Sequence, residues 1–467
     1  MPRLCSRFDP RWSTLVILCT GMMMIVLDNT VVNVALSSIQ HELGFSAAYL
    51  AWPVNAYMIA FGGTLLLAGR LGDLVGTKRI FTVGIFVFTV ASLLCGLSNS
   101  QWMLIAARFI QGLGGAMAAS VILAMIFTTF ADPGERAKAL SIFSFTASAG
   151  GSVGLLVGGV LTQMLNWHWI FLVNVPIGLL ALLVGWIQLP RIPGHDVPVP
   201  RYWAAALITI GIGALTFAIV KLQDWGWNSH GVSLSFAVAL TMLSLFVAHC
   251  ARSTNPFIDP ALFRIRDFTR ATLTMAPFST AFGGFLLSLV LWQEGVWHWH
   301  AMKIGLAIAP GPFMVPVTSL LLAGRLIARF GAVMVVAAGL IIFTAGVIVW
   351  AVLAGPHADL AFAVLCVIPS GIGVGLTLPT LMGLGTSALP ASSLATGSGV
   401  INMVRQIGFA IGVAIFVAII GSPGSTEAYM AAFRVAWWVM AVIAVLGLIP
   451  LLLQLRWRRA VTAMEPT

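Results

Sequence analysis

Hydrophobic positions along this chain fall in fourteen long runs, each close to the ~20 residues a helix needs to cross a hydrocarbon layer, with short polar connections between them. The first six cover 14–36, 48–69, 80–98, 102–127, 138–163 and 169–189. A proline-rich polar break from Pro190 to Arg201 then ends one bundle. Two further runs, 203–221 and 231–250, lead into the longest polar connection, Ala251 to Arg270. Six more complete the chain: 271–292, 303–322, 332–354, 359–382, 395–420 and 431–454. The pattern predicts an all-α integral membrane protein of fourteen transmembrane helices. It has an N-terminal six-helix bundle (1–189), a linker with two additional helices (190–270) and a C-terminal six-helix bundle (271–467).

One stretch organises the rest. Gly69 to Phe81 packs Arg70, Asp73, Lys78 and Arg79 together with Gly69, Gly72 and Gly76 between two apolar runs, the composition of a short basic loop at a membrane face. Gly324 to Val336 reads as a weaker second copy, with Arg325 and Arg329 echoing the first. Each copy follows the second helix of a six-helix series. Two related halves in a membrane protein point to an alternating-access transporter.

Composition agrees: 60% of residues are hydrophobic and 8% charged, with a mean hydropathy of +1.01, which excludes an ordinary soluble protein. The net charge of +10 does not indicate a nucleic-acid partner, because the cations are scattered through loops rather than gathered on one soluble face. The five cysteines (5, 19, 95, 250, 366) form no C-x-x-C pair and read as packing residues, with no metal site and no disulfide framework. Arg3, Arg7 and Arg11 precede the first run as in a signal peptide, but the run is too long and contains Asp28, so it is read as a retained helix.

Lys and Arg in short loops mark the cytoplasmic side. With the N-terminus inside, the inner segments hold the cations at 3, 7, 11, 70, 78, 79, 136, 138, 191, 201, 252, 264, 266, 270, 325, 329, 456, 458 and 459, and the outer ends hold only Lys221, Lys303 and Arg434. Dropping one helix destroys this asymmetry, so both termini are expected to be cytoplasmic. The outer loops carry Trp102, Trp167, Trp169, Trp225, Trp227, Trp297 and Trp299, the aromatic residues of an interfacial belt.

Laid out in this way, the chain resembles the major facilitator superfamily and, within it, the fourteen-helix drug:proton antiporters of the EmrB/QacA type. The resemblance covers nearly the whole chain. It is carried by LDNTVVNVAL at 27–36, the Gly69 stretch, RFIQGLGGA at 108–116, the glycine-rich fifth helix, NWHWIFLVNVPIG at 166–178, FIDPALFR at 257–264 and ATGSGVINMVRQIG at 395–408. Leu155 stands where the antiporter pattern has a proline, Ser37 replaces a common proline, Leu74 and Thr77 replace basic residues, and His168 stands where an arginine is usual. The resemblance implies a transporter of the inner membrane that exports small molecules against inward-moving protons. It needs no cofactor and is compatible with a periplasmic adaptor partner; a monomer is expected.

Asp28 is the only carboxylate well inside a predicted helix, where an ionised group is costly unless paired or hydrated. At ~1.5 Å per residue it lies roughly 12 Å deep and Arg108, on helix four, roughly 9 Å deep, so the two can meet. The pair is either a static tie between helices one and four or a proton-coupling site; the resemblance favours coupling. Asn29, Asn33 and Asn55 lie at comparable depth, as substrate-cavity residues or as interhelical ties. Arg405 is a second buried cation, with a structural role favoured. Glu294, at the outer end of helix nine, either attracts cationic substrates or is an exposed interfacial acid. Gly150, Gly154, Gly158 and Gly159 form the antiporter motif of helix five, with the small-residue spacing that lets helices approach closely. The gating set is Gly69, Arg70, Asp73, Gly76, Lys78 and Arg79, which either hold one access state or only enforce topology. His298 and His300 read as interfacial residues rather than metal ligands.

No phosphate-binding loop is present, so an ion gradient is the expected energy source. The E-x-x-E-R pattern of proton-coupled peptide importers is missing from helix one. The expected activity is multidrug efflux of hydrophobic, cationic compounds without enzymatic chemistry. The alternatives are an exporter dedicated to one endogenous metabolite and a non-transporting receptor or scaffold.

Overall fold

The computed structural model describes residues 9–46, 49–190, 202–226, 228–253, 256–390, 393–421 and 425–452, and every regular element among them is helical. Fourteen helices are long and apolar enough to cross a membrane. The first seven are α1 Pro10–Leu43, α2 Trp52–Val75, α3 Thr77–Gly96, α4 Gln101–Thr129, α5 Gly134–Met164, α6 Trp169–Gln188 and α7 Tyr202–Leu222. The rest are α8 His230–Arg252, α9 Arg266–Gly295, α10 Ala301–Phe330, α11 Ala332–Leu353, α12 Leu360–Ser387, α13 Thr396–Ile420 and α14 Thr426–Leu452. Each predicted run corresponds to one of them. Most of the Pro190 to Arg201 connection, Arg3, Arg7, Trp227 and the arginines at 456, 458 and 459 lie outside the described residues.

Local chemistry sets the ends. Asp9 caps α1 by accepting from Arg11 N at 3.0 Å, Pro10 supplies the first residue, and Gly44 closes the helix at φ 68°. Arg11 also donates to Glu135 at 2.6 Å, tying the start of α1 to that of α5. Two cations in the first turns of helices close carbonyls left open near other helix ends: Lys78 Nζ donates to Trp186 O and Leu189 O at 2.9 and 2.7 Å, and Arg136 to Phe130 O and Ala131 O. Prolines interrupt two helices. Pro176 has no N–H to continue the ladder, so α6 divides into Trp169–Leu172 and Asn174–Gln188. Pro310, Pro312 and Pro316 divide α10, which relaxes through a π-helical turn at Ser319–Ala323.

The Gly69 stretch differs from its expected form. It is not a loop: α2 continues through Gly69, Arg70 and Asp73 to Val75, and Gly76 alone reverses the chain, at φ 104° and ψ 135°, before α3 begins at Thr77. The polar side chains extend from helix ends rather than from a turn. The second copy does the same, with Gly331 at φ 81° and ψ 155° between α10 and α11. The repeat extends into the packing. Gly84 of α3 and Gly114 of α4 each bring the partner backbone so near that an added Cβ would lie 2.8 Å from the other's carbonyl oxygen, and Gly339 of α11 and Gly373 of α12 do likewise at 2.9 and 2.7 Å.

The chain forms two compact units. The first comprises Met1–Gly213, Val238–Phe246 and Trp299–Ala309, with α1 packed on α5 and α4 on both α2 and α3. The second comprises Ala214–Ala237, Val247–His298 and Pro310–Thr467, with α9 packed on α13 and α11 on α12. In the second unit Trp292, Trp350 and Trp437 pack together at ring separations of 5.1 and 5.8 Å, and Trp437 Nε1 donates to Ser288 Oγ at 2.7 Å. Of the tryptophans expected in an interfacial belt, Trp167, Trp297 and Trp299 are instead buried, whereas Trp102 is 71% exposed.

Gly76 has a backbone conformation in which a β-carbon is strained, so Gly76→Ala is expected to cost about 1–3 kcal/mol. The measurement is the thermal midpoint of purified protein in detergent. Gly69→Ala is the control, because its new methyl would meet nothing nearer than Ser120 Cβ at 3.9 Å. Equal midpoints for the two variants would remove the special role given to Gly76.

Candidate functional site

The first unit holds a fully buried polar network around Asp28. One carboxylate oxygen is ion-paired with Arg108 Nη1; the other accepts from Gln111 Nε2 at 2.8 Å and Asn174 Nδ2 at 3.2 Å. Arg108 Nε donates to Pro53 O at 2.8 Å and its Nη1 to Gln111 Oε1 at 2.7 Å, and its guanidinium lies 4.3 Å from the Tyr57 ring centroid. Gln111 Nε2 reaches Ser92 Oγ at 2.6 Å, and Cys95 Sγ lies 3.6 Å from Gln111 Oε1. Asp28, Arg108, Gln111, Ser92 and Asn174 are all 0% exposed, so the pair has no water to share its charges with. Hydrogen bonds from α1, α2, α3, α4 and α6 converge on it instead.

Local structure explains the convergence. Arg108 and Gln111 are three residues apart on α4 and share a face, so one helix presents both a cation and an amide to the same carboxylate. Asn174 begins the second segment of α6, and the Pro176 break sets it at the level of Asp28. An apolar cleft of about 520 Å³ lies along α1, lined by Trp12, Cys19, Met23, Met24, Leu27 and Ile177 among others.

The glycines of α5 stand in close contact with neighbouring helices. A Cβ on Gly150 would meet Val26 at 3.1 Å and one on Gly154 would meet Leu27 O at 2.9 Å, so α5 presses on the turn of α1 that carries Asp28. Gly158 faces Val31, Gly159 faces Ala301 O in the first segment of α10, and Gly305 returns the contact against Leu155 O. Leu155, in the proline position of the family pattern, is fully buried in an uninterrupted helix.

Other candidate residues are placed differently from one another. Asn33 is buried and donates back to Asn29 O at 3.2 Å; Asn29 is half-buried with its amide 3.8 Å from Met58 Sδ. Asn55 is fully buried, and neither atom of its amide has a hydrogen-bond partner among the described residues. Glu294 belongs to the second unit, at the end of α9. Arg70, Asp73 and Arg79 are exposed at helix ends, as are Arg325 and Arg329. His300 caps α10 through Nδ1, and His298 is left-handed at φ 54°. His168 lies 3.6 Å from Glu42, which also accepts from Trp167 Nε1 at 2.8 Å.

The sequence reading missed Gln111, Ser92, Asn174 and Tyr57. Gln111 and Asn174 stand inside the quoted motifs, but nothing in an all-apolar helix marks which polar residue turns toward the acid. The repeat gives one more finding. Gly373 is the counterpart of Gly114, so the residue six before it, Val367, is the counterpart of Arg108: the second unit repeats the packing without the charge.

The major facilitator superfamily model matches residues 18–413, and the chain belongs to that superfamily. It is 34% identical over 431 residues to the puromycin resistance protein pur8 of Streptomyces alboniger, covering 91% of this chain and 85% of that one. It is likewise 34% identical over 426 residues to the cephamycin export protein CmcT of Amycolatopsis lactamdurans, covering 89% and 86%, and 30% identical over 409 residues to the multidrug resistance protein Stp of Mycobacterium tuberculosis, covering 88% and 76%. Among solved structures, an auto-inhibited peptide transporter of the POT family superposes with a TM-score of 0.70 at 16% identity over 96% of both chains, a likeness of fold.

Removing one partner of a buried ion pair typically costs about 3–5 kcal/mol because the other charge is stranded. The two sides differ: an aspartate can discard its charge by taking a proton, an arginine cannot. Asp28→Asn is therefore expected to lower the thermal midpoint of the purified protein more than Arg108→Gln. The reverse order would show that desolvation of Arg108 is not what the network offsets.

Proposed function

We propose that this chain is a proton-coupled efflux transporter of the cytoplasmic membrane, with both termini on the cytoplasmic side, that expels hydrophobic small molecules, antibiotics among them. The observation that carries the reading is the buried Asp28–Arg108 pair with its ring of amides in the first unit. Relatives that cover most of the chain are named for puromycin resistance, cephamycin export and multidrug resistance, which supports the export direction.

Asp28 carries the proton. When ionised it holds Arg108 and two amide donors. On protonation it loses the ion pair, while Arg108 keeps Pro53 O, Gln111 Oε1 and the Tyr57 face. Arg108 is then held by those groups alone with its charge uncompensated, so protonation releases α1 from α4 and favours a different arrangement of the two helices. Because the turn of α1 that carries Asp28 is pressed by Gly150 and Gly154, this release is transmitted to α5. Substrate and proton then favour different access states, and a coupling of ~1–3 kcal/mol between them is enough for exchange.

Asn55, with its unpaired buried amide, and half-buried Asn29 supply polar fixtures for substrate in the first unit. Arg70, Asp73 and Arg79 at the end of α2 and the start of α3, with their echoes Arg325 and Arg329, act as charged contacts that are made in one access state and broken in the other. The cationic loops set the orientation.

In proteoliposomes with an imposed pH gradient, the parent is expected to accumulate ethidium against its gradient, and a protonophore to abolish this. Asp28→Asn/Arg108→Gln, which removes both charges and strands neither, separates the roles. On the coupling reading it folds but only equilibrates ethidium, an accumulation loss of at least about 10-fold; uphill pumping at the parental level would make the pair a static tie. A parent that moves one endogenous compound and nothing else in a broad panel would favour the dedicated exporter.

A further inference from the structure

Arg108 and Arg405 both lie inside membrane-crossing helices, and they are treated in opposite ways. Arg108 has an ion pair, two hydrogen bonds and an aromatic face. Arg405 has no hydrogen-bond or ion-pair partner among the described residues, and its Nε is buried. Counting ~1.5 Å per residue, it lies roughly 14 Å from the start of α13 and roughly 22 Å from the end, beyond the reach of a headgroup on either side. A guanidinium cannot give up its charge.

Among the described residues no carboxylate pairs with it. Of the 14 acidic residues in the sequence, only Asp28 stands more than a turn inside a crossing helix. Asp28 is already held by Arg108, Gln111 and Asn174. The second half carries the cation without the acid.

The surface of α13 shows what Arg405 faces. Between Ser398 and Ile415 the partly exposed side chains form two groups. Val404, Ile411 and Ile415 are apolar and cluster on one side. Ser398, Asn402, Arg405 and Phe409 follow the i, i+4, i+7, i+11 spacing of a separate face, roughly 100° or more around the helix. Asn402 Nδ2 donates to Ser398 O at 3.1 Å, which orients the amide beside the arginine. A third side is closed by Gly408 and Gly412 against α9, where a Cβ on Gly408 would sit 2.9 Å from Ala276 O. One face is apolar, one is packed, and the polar one is partly exposed.

We propose that Arg405 is the binding site for an anionic group, a carboxylate, on the exported compound, with Asn402 beside it on the same face. This rests on the efflux reading and extends the expected substrates from hydrophobic cations to hydrophobic acids. The planar guanidinium takes a carboxylate through two parallel N–H donors, a geometry that a point charge cannot reproduce. The substrate is the counterion that the protein omits: the loaded second half is neutral inside, and the empty one is positive.

The test uses the full-length protein in vesicles of zwitterionic phosphatidylcholine, so that no anionic lipid can stand in, with an imposed pH gradient. The probes are cefoxitin, which carries one carboxylate, its uncharged methyl ester, and ethidium. The parent is expected to pump cefoxitin in preference to the ester. Arg405→Gln is expected to lose cefoxitin transport by at least about 10-fold, the consequence of losing a charge-assisted hydrogen-bonded pair, with Arg405→Lys restoring part of it. Ethidium transport by Arg405→Gln should stay within about twofold of the parent, and cefoxitin should raise the thermal midpoint of the parent but not of Arg405→Gln. Three results would overturn the assignment: cefoxitin transport indifferent to Arg405→Gln, a parent that pumps ethidium but not cefoxitin, or variants that lose both probes alike, which would make Arg405 structural. A parent that pumps none of the three with the gradient imposed removes the efflux reading itself, and this inference with it.

Discussion

An ionised side chain at the middle of a bilayer costs about 2.5–3.5 kcal/mol even on lenient scales, and the arrangement of the first unit follows from how that cost is met. Asp28 and Arg108 are paired, and polar groups gather on the pair: Gln111 from α4, Asn174 from α6, Ser92 behind them on α3 and the Pro53 carbonyl at the start of α2, with Arg108 Nη2 alone left without a hydrogen-bond partner on that guanidinium among the described residues. Rotating any of these helices by one residue turns its contribution about 100° away. The pair therefore sets the rotation of five helices whose apolar surfaces would otherwise tolerate several.

Glycine sets the distances. The α3–α4 and α11–α12 contacts use equivalent glycines, with Phe88 and Phe343 in equivalent places, so the two halves share a packing plan. They do not share its chemistry. Val367 stands where the first half has Arg108, and the second half carries its own buried arginine on a different helix, α13. Repetition preserved what holds helices together, while the charged positions diverged.

Much of this was legible in the sequence because a bilayer leaves few options: a run of ~20 apolar residues is a crossing helix, so the number and order of helices are readable. The Asp28–Arg108 pairing was also readable, since two opposite charges at similar depth in hydrocarbon have little choice but each other. Helix rotation was not. In α1 to α6 apolar residues occupy every face, so no periodicity distinguishes Gln111 or Asn174, which reach the acid, from Asn33, which turns back to its own helix. The Gly69 stretch misled for a different reason. Glycines and charges at the end of an apolar run resemble a turn, yet nothing forces the helix to stop where the hydrocarbon does. Only at Gly76, with φ 104°, does the backbone leave the helical region. Buried tryptophans misled similarly, since an indole at a helix end serves a belt or a core and only packing separates the two.

The contrast between the two arginines also bears on how a carrier can be coupled at all. A cation with a permanent partner, such as Arg108, changes state only when that partner changes charge, and a proton is the agent that can do this inside a protein. A cation with no partner changes state when a ligand arrives. On the assignments proposed for Asp28 and Arg405, one half answers to protons and the other to the anionic group of the cargo, so neither ligand needs to displace the other from one shared side chain. Competition then operates through the access states that each neutralisation favours. That division also accounts for the missing acid on α13. A carboxylate placed there would satisfy Arg405 in every state, and the helix would gain stability while the cargo lost the one charge it can be recognised by.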